Sequence, residues 1–365
     1  MIVPNLSLDE KKRFLQRFWR REERGPVFYI GSPARNAFQG STLPSFEELL
    51  NLELSRLMAR RHILDFDIPA LRTDFGTGIF PSAFGCPLRY EEGRYPWSEP
   101  IIFDDPSAVY RLRKPSVTDG LLGKVLEFTR FAVQSTEGKF PVKMTDLQGP
   151  LDIVYLLWES NNFFLALFDA PQAVHHLLNI VTELLIEFVK AQKAHASEVE
   201  FIPCHLPHYI PWGEGICVSE DLLALLSPDL YREFALPYLN ALSDEFGGIF
   251  IHSCGNFTQN LDVLCEVRGL KGVNFGATET PFEDVVAKLG GKVVLSPHLG
   301  LNKEIRFSTV TEYLFHLKKV GQRTPFLYIL VDTTNSLLGH DMCWRPEELE
   351  EIYAVFASWG DSHGE

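Results

Sequence analysis

Several common sequence signals are missing from this chain of 365 residues. Positive charge is scarce, with 34 Lys and Arg against 48 Asp and Glu, and the resulting net charge of −14 argues against binding to a nucleic-acid backbone. No uninterrupted apolar stretch is long enough to span a bilayer, and the polar N-terminus lacks the apolar core of a signal peptide. We therefore expect a cytoplasmic protein with neither a nucleic acid nor a membrane as partner.

Nucleotide-binding and disulfide patterns are absent as well. The chain has no P-loop, and Gly76-Thr77-Gly78 lacks the rest of a dinucleotide fingerprint. The six cysteines are scattered without a framework spacing, so we expect reduced thiols, a few of which are available as metal ligands. Since no repeat or long linker divides the sequence, residues 1–365 are expected to form a single domain.

Short apolar runs alternate with long amphipathic runs along the chain. Eight of the short runs end in polar or Gly-containing residues, as buried parallel strands do. They are residues 26–31, 69–75, 140–146, 198–204, 248–254, 270–276, 292–298 and 325–332. Together with the helical runs between them, and a helix at the N-terminus, they predict an α/β (β/α)8 TIM barrel; a doubly wound open sheet is the alternative. Residues 76–115 are predicted to form a long β2–α2 insertion over part of the barrel mouth.

Capping signals set several helix boundaries. Ser45 and Glu48 form a capping box before a helix that runs toward residue 62, and Asp169 is predicted to cap the long helix that ends near residue 195. Ser227 opens another helix, and residues 280–283 are predicted to form a second capping box. Residues 308–321 and 346–358 supply the last two helices.

Polar side chains concentrate at the carboxyl ends of the predicted strands, where barrels of this type carry their chemistry. Strand ends are polar in any barrel, so each residue alone is explained equally well as a loop cap or a solvated side chain. Loop capping and solvation do not readily explain why so many of these residues are Cys and His. The candidates are Arg35, Asp74, Asp146, Cys204, His205, His252, Cys254, Asn274, Glu279, His298 and Asp332.

The sharpest local signal is the sequence from Ile251 to Asn256. Residues i and i+2 of a strand point to the same face, so His252 and Cys254 are predicted to aim at one point inside the mouth. Imidazole and thiolate are ligands that zinc prefers. A buried His with a satisfied hydrogen bond beside an apolar Cys is the structural alternative.

A third metal ligand has to come from another loop. Cys343 or His340 would complete a Cys/His set with an open position for substrate, and Glu279 would fill that position when substrate is absent. A surface Cys and a solvated His explain the same residues equally well.

Several stretches resemble the uroporphyrinogen decarboxylase and cobalamin-dependent methyltransferase superfamily. They are residues 146–150, 219–221, 226–228 and 233–238, the zinc-type motif at 252–256, and the C-terminal segment 338–340 with 346–347. The resemblance implies a TIM barrel and a small-molecule substrate, and it makes a homodimer plausible.

The two branches of this superfamily imply different chemistry. The decarboxylases hold a polycarboxylate tetrapyrrole with an Arg-rich motif, an Asp on the second strand and a C-terminal His. Asp74 and His340 resemble the last two, but only Arg35 remains of the first motif. The methyltransferase branch, whose likeness lies at 252–256, implies zinc that activates a thiol toward a methyl group on a corrinoid, sometimes delivered by a corrinoid protein.

Three hypotheses follow from these residues. The leading one is a zinc-dependent methyltransferase that moves a methyl group between a corrinoid and a thiol, with His252, Cys254, and Cys343 or His340 as ligands. In that hypothesis Arg35, Asp74, Asp146 and His205 line the substrate cleft. The second is a metal-free carboxy-lyase of the uroporphyrinogen decarboxylase type, acting on a porphyrinogen or a smaller aromatic acid, in which Asp74 and His340 carry the proton chemistry. The third is a non-catalytic corrinoid- or tetrapyrrole-binding protein. The catalytic candidates are Asp74, His340 and Arg35, and the residues expected to bind substrate are Asp146, His205, Asn274, His298 and Asp332.

Overall fold

The computed structural model describes residues 6–31, 42–91, 95–299, 307–322, 324–331 and 344–359. Eleven strands lie in these ranges, and each of the eight predicted strands contains one of them. They are β1 Val27–Ile30, β2 Leu71–Arg72, β3 Leu88–Arg89, β4 Trp97–Ser98, β5 Val142–Lys143, β6 Phe201–Ile202, β7 Ile216–Ser219, β8 Ile249–Ser253, β9 Leu270–Gly276, β10 Val294–His298 and β11 Tyr328–Val331.

Helices occupy most of the connections between the parallel strands. In the described ranges they are α1 Leu8–Trp19, α2 Phe46–Arg60, α3 Ile79–Ala83, α4 Gly120–Ser135, α5 Pro150–Leu157, α6 Ser160–Asp169, α7 Pro171–His195, α8 Pro228–Phe234, α9 Leu236–Phe246, α10 Leu261–Leu264, α11 Phe282–Leu289, α12 Val310–Gly321 and α13 Pro346–Ala357. Short 3-10 turns cover Pro106–Arg111, Asp221–Ala224 and Thr258–Asn260.

The parallel strands follow one another in chain order around a barrel. One ladder runs β7-β8-β9-β10, a second runs β2-β5-β6, and β1 pairs with β11. A bridge between Leu295 and Leu327 joins β10 to the start of β11. A closed barrel requires the first strand to pair with the last. The predicted (β/α)8 fold is therefore confirmed over the alternative of an open sheet.

Two short strands share the fourth position of the barrel. Both residues of β5 pair with β6. Gln148, beyond the end of β5, pairs instead with Ser219 of β7. The amide of Cys217 donates to the carbonyl of Pro203, which links the two segments to each other. The sequence predicts β6 within residues 198–204 but misses β7, although β7 is the strand that leads into the candidate site.

The insertion after β2 contains helix α3, the antiparallel pair β3–β4 and a 3-10 turn. It returns to the mouth at Tyr95, which packs against Gly76. A Cβ at Gly76 would lie 2.9 Å from Cβ of Tyr95, and the φ of +78° there lies in the left-handed region that favours glycine. The insertion therefore covers part of the mouth, as the sequence predicts.

Two of the predicted caps are wrong. Asp169 ends α6, and Ala170 occupies the N-cap position of α7. Pro281, not Thr280, precedes α11, because the Thr280 hydroxyl bonds instead to the backbone of Gly255 and Phe257. The Ser45 capping box and the Ser227 cap are confirmed.

Apolar side chains fill the space between the barrel and its helices. Phe28 of β1 stacks on Phe356 of α13 with ring centroids 3.8 Å apart, and Trp19 of α1 meets Phe250 of β8 edge-on. Among the described residues, no helix combines the length and apolar character needed to cross a bilayer. The interface between barrel and helices is apolar, and the polar side chains lie instead at the carboxyl ends of the strands.

Candidate metal centre

Four neighbouring strands place one polar residue each at the same level of the barrel. Ser219 lies in register with His252, His252 with Asn274, and Asn274 with Ser296. In-register residues of parallel strands lie side by side, so this row brings together side chains from β7 to β10. It lies near the carboxyl ends of those strands, where the sequence predicts the site.

His252 and Cys254 converge as their spacing predicts. The Cys254 Sγ lies 3.4 Å from Nε2 of His252, and both side chains are half-buried. The other ring nitrogen of His252, Nδ1, lies 2.6 Å from Oδ1 of Asn274. Convergence of the two side chains is confirmed; their role as ligands stays a prediction.

Asp221 joins this pair and was missed by the sequence analysis. One oxygen of Asp221, the Cys254 sulfur and a His252 nitrogen all lie within 4.8 Å of one another. Asp221 begins the 3-10 turn after β7, and its Oδ1 accepts a hydrogen bond of 2.8 Å from the backbone N–H of Cys254. A nitrogen, a sulfur and a carboxylate oxygen at this spacing form a donor set that fits a zinc ion.

A buried carboxyl group holds the Asp221 turn in place. Asp152 of α5 accepts hydrogen bonds from the backbone N–H groups of Asp221 (2.6 Å) and Leu222 (3.1 Å). Burial, reinforced by the charge of Asp221, raises the pKa of Asp152 to about 7. Glu220 is buried beside this pair. Burial raises the pKa of Glu220 well above its usual value, so Glu220 is neutral at pH 7 and Asp221 carries most of the negative charge on this side of the Cys254 sulfur.

This environment keeps the Cys254 thiol protonated in the absence of a cation. Burial, with the charges of Asp221 and Glu279, raises the pKa of Cys254 to about 12. A bound divalent cation would reverse this effect, because it stabilises the thiolate directly. The residues thus fit a metal ion in charge as well as in donor type.

Two further predicted residues lie close to the pair. The ring of His298 stacks near that of His252, with centroids 6.0 Å apart, and burial lowers the pKa of His298 to about 3. A carboxylate oxygen of Glu279 lies 3.3 Å from the backbone nitrogen of Gly255, which donates to it. Glu279 stays outside the group of three ligand atoms, whose carboxylate comes from Asp221.

A second polar cluster occupies the neighbouring strand ends. Asp74 pairs with Nη2 of Arg72 at 2.9 Å and accepts a bond from the amide of Gly76, and the Tyr95 hydroxyl also bonds to it. Arg72 was not predicted, although Arg72 and Asp74 have the same i, i+2 spacing as His252 and Cys254. The cluster provides one cation and a carboxylate that is held by three donors.

His205 and Asp146 join the two clusters. Nε2 of His205 lies 3.1 Å from the Ser219 hydroxyl and 3.6 Å from Asp146. Burial, together with the positive charge of Arg72, lowers the pKa of His205 well below its usual value, so the ring is neutral at pH 7. Since Ser219 is the register partner of His252, His205 and Asp146 connect the buried polar row of β7 to β10 with the polar residues at the neighbouring strand ends.

Four predicted site residues lie outside the described residues. They are Arg35, Asp332, His340 and Cys343. The third thiol or imidazole ligand and the anion-binding Arg therefore remain predictions from sequence alone.

Comparison with known proteins identifies the family to which this arrangement is related. The uroporphyrinogen decarboxylase (URO-D) family model matches residues 46–203. The chain is 26% identical over 235 residues to the uroporphyrinogen decarboxylase of Xanthomonas axonopodis pv. citri, a match that covers 60% of each chain. It is 29% identical over 173 residues to that of Xanthomonas campestris pv. campestris, covering 45% of this chain and 43% of the relative. Residues 46–203 are thus similar to the uroporphyrinogen decarboxylase family, and the two relatives extend that similarity to part of the chain.

A solved structure has the same fold over nearly the whole length of this chain. A methyltransferase from Methanosarcina mazei superposes with a TM-score of 0.65 over 98% of this chain and 99% of that one, at 14% identity. At this identity the likeness shows a shared fold. The resemblance predicted from sequence is confirmed. The matches to the decarboxylases span at most 60% of their length, so the reaction of this chain is a separate question.

Proposed function

We propose that this protein is a zinc-dependent enzyme that transfers a methyl group between a corrinoid and a thiol. The observation that carries the proposal is the convergence of the Cys254 sulfur, a ring nitrogen of His252 and a carboxylate oxygen of Asp221 within 4.8 Å at the barrel mouth. Structural zinc sites have four closed protein ligands, whereas catalytic sites keep one position open. The three candidate ligands among the described residues would leave the fourth position to a substrate, or to Cys343 or His340, which lie outside those residues.

The chemistry that the metal supplies is activation of the substrate thiol. A zinc ion held here would lower the pKa of a coordinating thiol, so that the sulfur reacts as a thiolate at neutral pH. The thiolate would then take the methyl group from a methylated corrinoid substrate, which would keep the electron pair of the broken bond, and the thiol proton would pass to solvent.

The residues of this chain hold and shape the reacting groups. Asp221 is fixed by Asp152 on one side and by the Cys254 amide on the other, so the ligand atoms are positioned before a metal binds. Arg72 and Asp74, at the carboxyl end of β2, form an ion pair that would orient a polar substrate. The neutral imidazole of His205 lies between the two groups.

A carboxy-lyase of the uroporphyrinogen decarboxylase type is the second candidate. It is favoured by the relatives named above and by Asp74, which is held at the mouth by Arg72, Gly76 and Tyr95. A carboxylate with fixed hydrogen-bond donors is suited to bind pyrrole N–H groups or to carry a proton. This reaction would need Asp74 but not Cys254.

A paired assay separates the two reactions. Zinc-loaded protein is mixed with methylcobalamin and a panel of small thiols, and thioether formation is followed by mass spectrometry together with the cobalamin spectrum. We expect turnover that falls at least about 100-fold in Cys254→Ala, because the activating metal is lost.

The exposed thiol at Cys265 provides the matched control. Cys265 lies away from the mouth, at the end of α10, so Cys265→Ala should keep full activity. Anaerobic decarboxylation of uroporphyrinogen by the Cys254→Ala variant, lost in Asp74→Asn, would support the carboxy-lyase instead. Unchanged methyl transfer in Cys254→Ala would contradict the leading proposal.

A further inference from the structure

A chain of hydrogen bonds runs sideways from the candidate metal centre through three strands. Nδ1 of His252 meets Oδ1 of Asn274 at 2.6 Å. The Asn274 amide nitrogen donates to the carbonyl oxygen of Ser296 at 2.6 Å and to its hydroxyl at 3.2 Å. The Ser296 hydroxyl lies 2.7 Å from Nε2 of His208. Asn274, Ser296 and His208 are fully buried, so water does not compete for these bonds.

The backbone carbonyl of Ser296 fixes which way the Asn274 amide points. A carbonyl oxygen only accepts hydrogen bonds, so the atom of Asn274 that faces it has to be the donor nitrogen. Exchange of the amide oxygen and nitrogen would place two acceptor oxygens 2.6 Å apart in a buried site. Oδ1 of Asn274 is therefore the atom that faces His252.

This orientation in turn fixes the proton on the His252 ring. Because Oδ1 of Asn274 is an acceptor, Nδ1 of His252 has to carry hydrogen and donate to it. In the neutral ring the lone pair is then left on Nε2, the atom that lies 3.4 Å from the Cys254 sulfur. A histidine binds a metal ion through the nitrogen that lacks hydrogen.

At the His208 end of this row of hydrogen bonds, the donors and acceptors run in the same order. The Ser296 hydroxyl accepts from Asn274, so its own hydrogen is free to go to Nε2 of His208. Burial lowers the pKa of His208 well below its usual value, which keeps that ring neutral and able to accept. Each bond thus agrees with the next, and no donor meets a donor along the row.

We propose that Asn274 is a positioning residue that sets the tautomer of His252, with hydrogen on Nδ1, and so presents Nε2 as the ligating nitrogen. The sequence analysis assigned Asn274 to substrate contact. Its buried side chain is instead occupied by His252 and Ser296. The inference rests on the proposed metal centre for its purpose, but the tautomer itself is a property of the metal-free chain.

The tautomer is measured in the metal-free protein by 15N-detected correlation spectra of the histidine rings, with His252 assigned from its loss in His252→Gln. We expect His252 to show a protonated Nδ1 and an unprotonated Nε2 at pH 8. In Asn274→Leu, which removes the acceptor at similar volume, the ring should become a mixture of tautomers. Ser296→Ala is the matched control, because the backbone carbonyl still orients Asn274, and this variant should keep the wild-type spectrum.

Zinc affinity, measured by competition with a chromophoric chelator, gives the second readout. Loss of such an outer partner weakens binding about 10–100-fold, and we expect that range for Asn274→Leu. Asn274→Asp keeps an acceptor toward His252, and its second oxygen, when protonated, donates to the Ser296 carbonyl as the amide nitrogen does, so this variant should bind at least ten times more tightly than the Leu variant. It therefore separates a tautomer effect from a folding defect.

The spectra and the zinc measurements distinguish failure of the proposed metal centre from failure of the proposed role of Asn274. A wild-type protein that binds no zinc but shows the expected His252 spectrum would overturn the metal centre and leave the tautomer assignment standing. A wild-type protein that binds zinc, with Asn274→Leu unchanged in both spectrum and affinity, would overturn the role of Asn274 alone.

Discussion

At the scale of single residues, the buried Lys143 is expected to make the free energy of unfolding depend on pH. The ammonium group of Lys143, on β5, donates to the carbonyl oxygens of Leu206 (2.6 Å) and His208 (3.0 Å), and the residue is 6% exposed. Burial lowers its pKa from 10.5 to about 8. The folded state therefore releases a proton that the unfolded chain retains between these two pH values. In that window the free energy of unfolding rises with pH.

We predict that the wild type gains about 2 kcal/mol more stability than Lys143→Met between about pH 7.5 and pH 10. Urea unfolding at the two pH values measures the difference, and groups that titrate in both proteins cancel. Lys139 is largely exposed, so Lys139→Met should follow the wild type. Parallel curves for wild type and Lys143→Met would show that Lys143 does not carry this penalty.

Residue spacing was the part of the site that the sequence could predict. The His-x-Cys alternation on a buried strand is a local property, so the convergence of His252 and Cys254 could be read before the fold was known. Arg72 and Asp74 share that spacing, but an Arg–Asp pair is common on any surface and carries no metal preference. Asp221 could not be found in this way, because its position depends on strand β7.

At the scale of elements, the contact between α5 and β7 sets the shape of the site. The amide of Gly149, at the N-cap of α5, donates to the carbonyl of Ser219 at 2.7 Å. Its φ of −72° suits any residue, but a Cβ at this position would overlap the side chain of Glu220. Gly149 is thus required by the close approach of Glu220 and not by its backbone conformation.

We predict that Gly149→Ala destabilises the protein by about 1–3 kcal/mol, the usual cost of overpacking a buried contact. Glu220→Ala made in the Gly149→Ala background should recover most of that loss, because it removes the overlapping atoms. Denaturant unfolding of the two single variants and the double variant measures the coupling. Strictly additive effects would show that Gly149 is not constrained by Glu220.

Strand β7, which was not predicted from the sequence, explains most of the differences between the predicted and observed elements. Residues 198–204 and 216–219 both occupy the fourth position of the barrel, and only the first has the clean boundary of a buried strand. Pairing of β7 with β8 over Ile216–Ser219 is a long-range fact that no local pattern encodes. The same reason applies to Thr280, whose hydroxyl bonds to Gly255 and Phe257 and not to its own helix.

At the scale of the whole molecule, the barrel brings together residues that are distant in sequence. Alternation of eight apolar runs with helices was sufficient to predict the closed parallel fold, because few architectures accommodate that order. The reaction is not fixed by the fold. This chain is similar in sequence to decarboxylases and in fold to a methyltransferase, so its reaction has to be argued from the side chains at the mouth.

We claim that one metal ion is held by His252, Cys254 and Asp221. Metal analysis of the purified protein, by inductively coupled plasma mass spectrometry after dialysis, tests it most directly. We predict close to one zinc per chain in the wild type and in Cys265→Ala, and loss of the zinc in Cys254→Ala and His252→Ala. Absence of zinc from the wild type after growth and dialysis in zinc-containing buffer, or an undiminished zinc content in Cys254→Ala, would contradict the claim.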